Sequence, residues 1–167
     1  MKRFVPAFVG VWLVMLVGCG PGAAGGPNMS GRVNDDTEII PEIQSNDILA
    51  REPVTNRAQV KHILLSWTEL APAFKGQQDA RGKARTHEQA DELAAAVLQR
   101  ARAGEDFEKL MREHSEDPGS AQTGISYEVK PDAALVFEFR RLSLRLKVAE
   151  IGLVKTIYGW HIIKRVE

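Results

Sequence analysis

Val154-Lys155-Thr156-Ile157-Tyr158-Gly159-Trp160-His161-Ile162-Ile163-Lys164 lies near the end of a 167-residue chain and reads as two β-strands meeting at a bend. Leu153 to Ile157 and Trp160 to Val166 are rich in β-branched, aromatic and apolar residues, and Gly159 between them supplies the hinge. Far upstream, Ala58 to Ser66 carries Val60, Ile63, Leu64 and Leu65, a short apolar run consistent with a buried strand, with His62 inside it. Residues Ile125 to Val129 alternate well enough for a fourth strand.

Between these strands the apolar period lengthens from two to between three and four. Thr86 and Gln89 have capping-box spacing at the head of a helix over Glu88 to Ala103, and Gly104 supplies its stop. Ala90, Leu93, Ala94, Val97, Leu98 and Ala101 form one stripe along it, suited to lying on a sheet. A second helix is expected from Asp106, burying Phe107, Leu110 and Met111 and ending before Asp117, where Pro118 and Gly119 turn the chain. Pro131 with Asp132 opens a third, whose buried positions are Leu135, Phe139 and Leu142. The order β, α, α, β, α, β, β predicts an α+β fold, a small four-stranded, largely antiparallel sheet covered by helices.

The other end of the chain reads differently. Lys2 and Arg3 precede a mostly apolar run from Phe4 to Val17, too short to span a bilayer and suited to the core of an export leader, residues 1–18. It ends Leu16-Val17-Gly18-Cys19, which resembles the bacterial lipobox. That resemblance implies lipidation of Cys19, with several acyl chains anchoring the protein stably where one would not. Residues 19–53 are rich in Gly, Pro, Asn, Ser and Asp, with few apolar residues, and read as a flexible tether to a domain over 54–167, the alternative for Thr37 to Ile48 being a short helix or strand at the domain's edge. Cys19 is the only cysteine, which excludes an internal disulfide and a cysteine-rich metal site. Lysine plus arginine equals aspartate plus glutamate at 22 each, so bulk charge calls for no nucleic acid.

Three segments together resemble a parvulin, or rotamase, domain. They are Val60-Lys61-His62-Ile63-Leu64-Leu65, the stretch from Gly104-Glu105-Asp106-Phe107 through His114-Ser115-Glu116-Asp117-Pro118-Gly119-Ser120-Ala121, and the terminal Val154 to Lys164. The resemblance implies a peptidyl-prolyl cis/trans isomerase with no metal, cofactor or covalent intermediate. It makes His62 and His161 the paired histidines of the site, sharing a hydrogen-bond network, with the Thr156 hydroxyl nearby. Asp117 stands where relatives carry cysteine or aspartate, facing the substrate carbonyl. By the same resemblance Leu135 and Phe139 match the apolar pair that lines the proline pocket, and Tyr127 replaces the leucine that borders it.

Read without the resemblance, a histidine in an apolar strand is more often a satisfied core residue than a functional one. Likewise Leu135, Phe139 and Leu142 at helical spacing read simply as core. There is one departure: relatives usually carry Gly-Gly-Asp-Leu-Gly after the Ser-Ala pair, whereas this chain has Gly124-Ile125-Ser126-Tyr127-Glu128. Two readings of function lead, ahead of a third in which the chain is a structural lipoprotein whose vestigial domain neither binds nor isomerises peptide. The first is a lipid-anchored, extracytoplasmic isomerase, on the periplasmic face of a bacterial membrane, acting on unfolded or proline-containing exported polypeptides. The second is a non-catalytic chaperone or peptide-binding module that uses the same groove. In the family the connection from Trp67 to Arg85 borders the residue before proline. Here Lys75, Arg81, Lys83 and Arg85 outnumber Glu69 and Asp79 in it, so an acidic residue is expected to be favoured there.

Overall fold

The computed structural model describes residues 43–167. The expected leader, Cys19 and the greater part of the expected tether lie outside the described residues. Four strands, β1 (Ala58–Leu65), β2 (Tyr127–Val129), β3 (Ile151–Thr156) and β4 (Gly159–Arg165), form one sheet in the order β2-β1-β4-β3. Every neighbouring pair is antiparallel. The expected α+β architecture is what the chain adopts. Between β3 and β4 only Ile157 and Tyr158 remain for the turn, and Gly159 closes it with φ +125°. A Cβ there would sit 2.2 Å from the Leu65 carbonyl oxygen, so glycine is demanded both by conformation and by the approach of β1.

Strand alternation sorts the apolar residues into two cores, one on each face. On one face Ile63, Leu65, Leu153, Trp160 and Ile162 pack against α3 (His87–Arg102), which follows the short α2 (Ala80–Lys83), and against α4 (Phe107–His114). The Thr86 hydroxyl and the Gln89 side chain complete the capping box of α3, and the Asp106 carboxylate caps α4 through the Lys109 amide at 2.6 Å. On the other face Val60, Val154 and Ile163 pack against α1 (Asn46–Leu49) and α6 (Phe137–Ser143). His62 pairs across the ladder with Ile163, and His161 with Leu64. The alternation therefore puts both histidines on the α6 face, diagonal to one another on adjacent strands.

The structure corrects the sequence reading in three places. First, the fold takes in residues ahead of 54: Ile48 and Leu49 of α1 are buried at 2% and 6% exposure, so this turn belongs to the domain rather than to a tether. Composition misses this because α1 is a single turn without periodicity. The same segment covers the edge of β3, where the Ser45 hydroxyl accepts from the Leu153 amide and the Gln44 side chain from the Lys155 amide. An edge covered in this way is closed to pairing with another chain.

Second, Pro118 and Gly119 start a helix instead of turning the chain. Asp117 is the N-cap and Pro118 the first residue of α5 (Pro118–Thr123). Third, the last helix begins at Phe137, not near Pro131. The Ala133 carbonyl, which a helix opening at Pro131 would bond to the Phe137 amide, accepts instead from the Leu135 amide and the Arg140 guanidinium. Leu135 consequently lies in the preceding loop, while Phe139 and Leu142 are buried as expected. No helix among the described residues is long and apolar enough to cross a membrane.

Candidate active site

His62 stands at the centre of a ring cluster. Its imidazole lies 5.1 Å from the Tyr127 ring, 5.2 Å from Phe139 and 5.3 Å from His161, centroid to centroid. Phe139 meets both imidazoles edge-on, at interplanar angles of 86° and 82°. Each ring reaches the cluster by the local rule of its element. Tyr127 is held opposite Val60 by the β1/β2 ladder, and Phe139 projects from the inner face of α6. Leu135 packs, half-buried, against the same core from its loop. Of this cluster His62 and His161 border a cleft of about 480 Å³, together with Asp117, Pro118, Phe74 and Tyr158, while Tyr127, Leu135 and Phe139 lie behind them and do not line it.

The two histidines do not hydrogen-bond to each other, contrary to the shared network expected. His161 Nε2 lies 3.0 Å from Thr156 Oγ1. That hydroxyl accepts from the Tyr158 amide and donates toward the Gly159 carbonyl, which leaves it a lone pair for an Nε2 proton. His161 Nδ1 is buried with no hydrogen-bond partner among the described residues. His62 instead faces Ser120, whose hydroxyl lies 3.3 Å from Nδ1 and 2.8 Å from Asp117 Oδ2. Ser120 is fully buried and joins His62 to Asp117. Nothing in the sequence pattern marks Ser120, because only the helix at Pro118 turns its hydroxyl inward.

Asp117 is heavily engaged. Its Oδ2 accepts from the Ser120 amide at 2.7 Å, the Ser120 hydroxyl and the Tyr127 hydroxyl at 3.1 Å. Burial pushes this carboxyl up, but the two Ser120 donors, His62 and the Tyr127 hydroxyl outweigh it and leave it below the usual carboxylate range. Beside it, Glu116 is a buried carboxylate that sequence reasoning missed. It accepts from the Ser66 amide, the Ser66 hydroxyl and Arg85, and so ties the end of β1 to the wall of the cleft.

This pairing also revises the charge expected of the Trp67 to Arg85 connection. Arg85 is spent on Glu116 and the Ser66 carbonyl. Arg81 is spent on Asp79 and the carbonyls of Glu113 and Ser115. Lys75 is the cation that lines the cleft, so the positive excess offered to a substrate there is smaller than the count of residues suggests. No three His, Cys, Asp or Glu side chains converge as a metal-ligand set among the described residues.

Residues 46–167 match the PPIC-type PPIase domain. The chain belongs to the PPIC-type peptidyl-prolyl isomerase family, the parvulins. It is 32% identical over 112 residues to the chaperone SurA of Pseudomonas fluorescens, covering 66% of this chain and 23% of that protein. It is 32% identical over 128 residues to the foldase protein PrsA of Geobacillus kaustophilus, covering 76% of this chain and 44% of that protein. The chain therefore spans less than half the length of either relative. The solved structure of peptidyl-prolyl isomerase ESS1 from Candida albicans shares the fold, with a TM-score of 0.56 over 67% of this chain and 63% of that one, at 19% identity.

Within this parvulin domain the altered segment after α5 has a structural consequence. Gly124 ends the helix in the left-handed region, and the chain then delivers Tyr127 to Asp117. Gly119 makes room for the contact, since a Cβ there would lie 2.8 Å from the Tyr127 hydroxyl. The departure from the usual glycine-rich pattern thus installs a hydrogen bond on the site carboxylate.

Burial lowers the His62 pKa to about 4, against a smaller opposing effect of Asp117, and lowers that of His161 well below its ordinary value, with His62 adding to the effect. Both imidazoles are therefore neutral at pH 7. Above pH 6.5 neither folded nor unfolded chain protonates them, and the stability they allow is fully present. As the pH falls from 6.5 toward 4 the unfolded chain takes up protons that the folded parvulin refuses, and stability drops. For His62 alone the loss reaches about 3 kcal/mol, because each tenfold rise in proton activity between those limits favours the unfolded chain by about 1.4 kcal/mol. Urea denaturation at pH 7.5 and pH 5 is expected to show a clearly lower midpoint at pH 5, and equal midpoints would contradict the neutral, buried pair.

Proposed function

We propose that this chain is a peptidyl-prolyl cis/trans isomerase that assists the folding of exported polypeptides. The observation that carries the reading is the ring cluster of His62, Tyr127, Phe139 and His161 beside a cleft edged by Asp117. Rotation about a peptide bond is opposed by about 18–20 kcal/mol because resonance places negative charge on oxygen and double-bond character on C–N. A proline ring seated on Phe139, with Leu135 and Tyr127 at its border, loses water from around that bond. The charge-separated form is disfavoured there, while the twisted form, with its localised charges, is not. Two neutral imidazoles suit such a floor, since a charged one would restore the polarity the seat removes. The Asp117 carboxylate at the edge opposes negative charge on the substrate oxygen, and Thr156 orients His161.

Asp117→Asn tests the role given to the carboxylate. The amide oxygen can still accept from the Ser120 amide, so the cap survives while the charge goes. The rate on a proline peptide is expected to fall about ten-fold with peptide affinity within two-fold. An unchanged rate would remove Asp117 from the chemistry. One observation favours the alternative of a non-catalytic peptide-binding module: the Tyr127 hydroxyl and both Ser120 donors already occupy Oδ2 of Asp117. In that reading the cluster grips proline without turning it over.

The setting we propose is extracytoplasmic, with Cys19 lipidated at a bacterial membrane and the domain presented to unfolded or proline-containing clients. The names of the relatives, a chaperone and a foldase, agree with such clients. Cys19→Ser is expected to move the protein from the membrane fraction to the soluble one, with its isomerisation rate retained. Lipid-labelled protein of processed size in the mutant would overturn the anchor.

A further inference from the structure

The outer face of α6 carries a feature that isomerisation does not use. Phe137, Arg140, Arg141, Leu144 and Arg145 recur at helical spacing and, with Pro131, line a shallow hollow of about 210 Å³. No carboxylate lies within 4 Å of any of the three guanidinium groups among the described residues. They are nevertheless held in place. Arg140 donates to the Ala133 carbonyl, Arg141 to that of Leu49, and Arg145 to those of Arg51 and Arg141. A guanidinium has five N–H donors, so each retains several, and its charge is not neutralised. Beside them Phe137 is 62% exposed, and Val54, whose amide bonds the Leu144 carbonyl, is 47% exposed.

We propose that this face docks on an anionic lipid surface, with the three arginines on headgroup phosphates and Phe137 in the interface. Fixed, un-neutralised guanidinium groups match phosphate oxygens, and an exposed ring among basic residues is the pattern of interfacial membrane contact. Three charges and one ring are too small for a stable protein–protein contact, which buries about 1,200–2,000 Å². They suffice to orient a domain already held near a bilayer, where the local concentration of the surface is high. The biological setting rests on the proposed anchor at Cys19. Residues 20–42 lie between Cys19 and the described fold, and a stretch of that length can span at most about 80 Å.

The test leaves the anchor out. The non-acylated chain from residue 20 onward, which keeps every described residue, is mixed with vesicles of phosphatidylcholine alone or with phosphatidylglycerol. Binding to the anionic vesicles is expected to exceed binding to neutral ones by at least ten-fold and to fall as salt rises. Arg140→Gln, Arg141→Gln and Arg145→Gln together should abolish the difference, and Phe137→Ser should reduce it several-fold. The three corresponding lysine substitutions should retain it within a few-fold, which separates loss of charge from loss of fold. Equal binding to both vesicle types, or a glutamine triple variant that binds as wild type does, overturns the proposal. So does a chain that ignores lipid but loses binding to polyglutamate on the same substitutions, which would make the face a protein-docking surface. Failure of Cys19 lipidation would leave these vesicle results unchanged, so the two ideas fail separately.

Discussion

Phe139→Ala is expected to lower the stability of the domain by about 3–5 kcal/mol and to reduce isomerisation of a proline peptide at least ten-fold. The ring is 4% exposed, packs edge-on to both histidines and belongs to the core under α6. Removing it opens a cavity beneath the seat proposed for the proline ring, so stability and binding fall together. Against a total of about 5–15 kcal/mol for a typical domain, such a loss can unfold the protein. Phe139→Leu is the companion: it keeps most of the volume at a cost of about 1.5 kcal/mol or less, and loses only the aromatic face. The leucine variant should fold cooperatively and bind proline peptides several-fold more weakly. A folded leucine variant with wild-type affinity and rate would take Phe139 out of the seat.

Glu116→Ala should cost a similar amount, about 3–5 kcal/mol, for a different reason. The carboxylate is 1% exposed and accepts from the Ser66 amide at 2.8 Å, the Ser66 hydroxyl at 2.6 Å and Arg85 at 2.6 Å. Deleting it leaves a largely buried guanidinium uncompensated and two buried donors without an acceptor, which is the costly way to break a buried ion pair. Glu116→Gln keeps the shape and one acceptor oxygen and should cost roughly half as much. Because Glu116 precedes Asp117 in the chain and lines the same cleft, the alanine variant should also turn over peptide more slowly even where it remains folded. Urea denaturation of the two variants checks the order, and an alanine variant within 1 kcal/mol of wild type would mean that the network relaxes freely.

The parts of the fold legible in the sequence are those with a long or strong local pattern. The helix over 87–102 shows itself by its capping box and stripe, and the strands by β-branched runs around Gly159. The helix after Asp117 does not, because Asp-Pro-Gly is equally the start of a turn and an N-cap with proline at the first helical position. Only packing decides between them, and with that choice goes Ser120, the residue that joins His62 to Asp117. Glu116 is invisible in the sequence because its partner Arg85 is 31 positions earlier and no periodicity marks a buried charge. The same pairing removes a cation from the loop whose charge makes an acidic substrate residue the expected preference. His62 and His161 enter the site through resemblance; from residues alone they read as core, and in burial they are core.

What matters most is whether the ring cluster turns proline bonds over instead of merely holding them. Exchange spectroscopy on a peptide with one Xaa-Pro bond, at substoichiometric protein and pH 7.5, measures both isomers and their rate of interchange directly. Unassisted, that exchange takes tens to hundreds of seconds. Catalysis by the cluster predicts exchange cross-peaks within about a second, unchanged cis and trans populations, and exchange several-fold slower with Phe139→Leu. Binding of the peptide with its exchange still at the uncatalysed rate would contradict it and leave a peptide-binding module in its place.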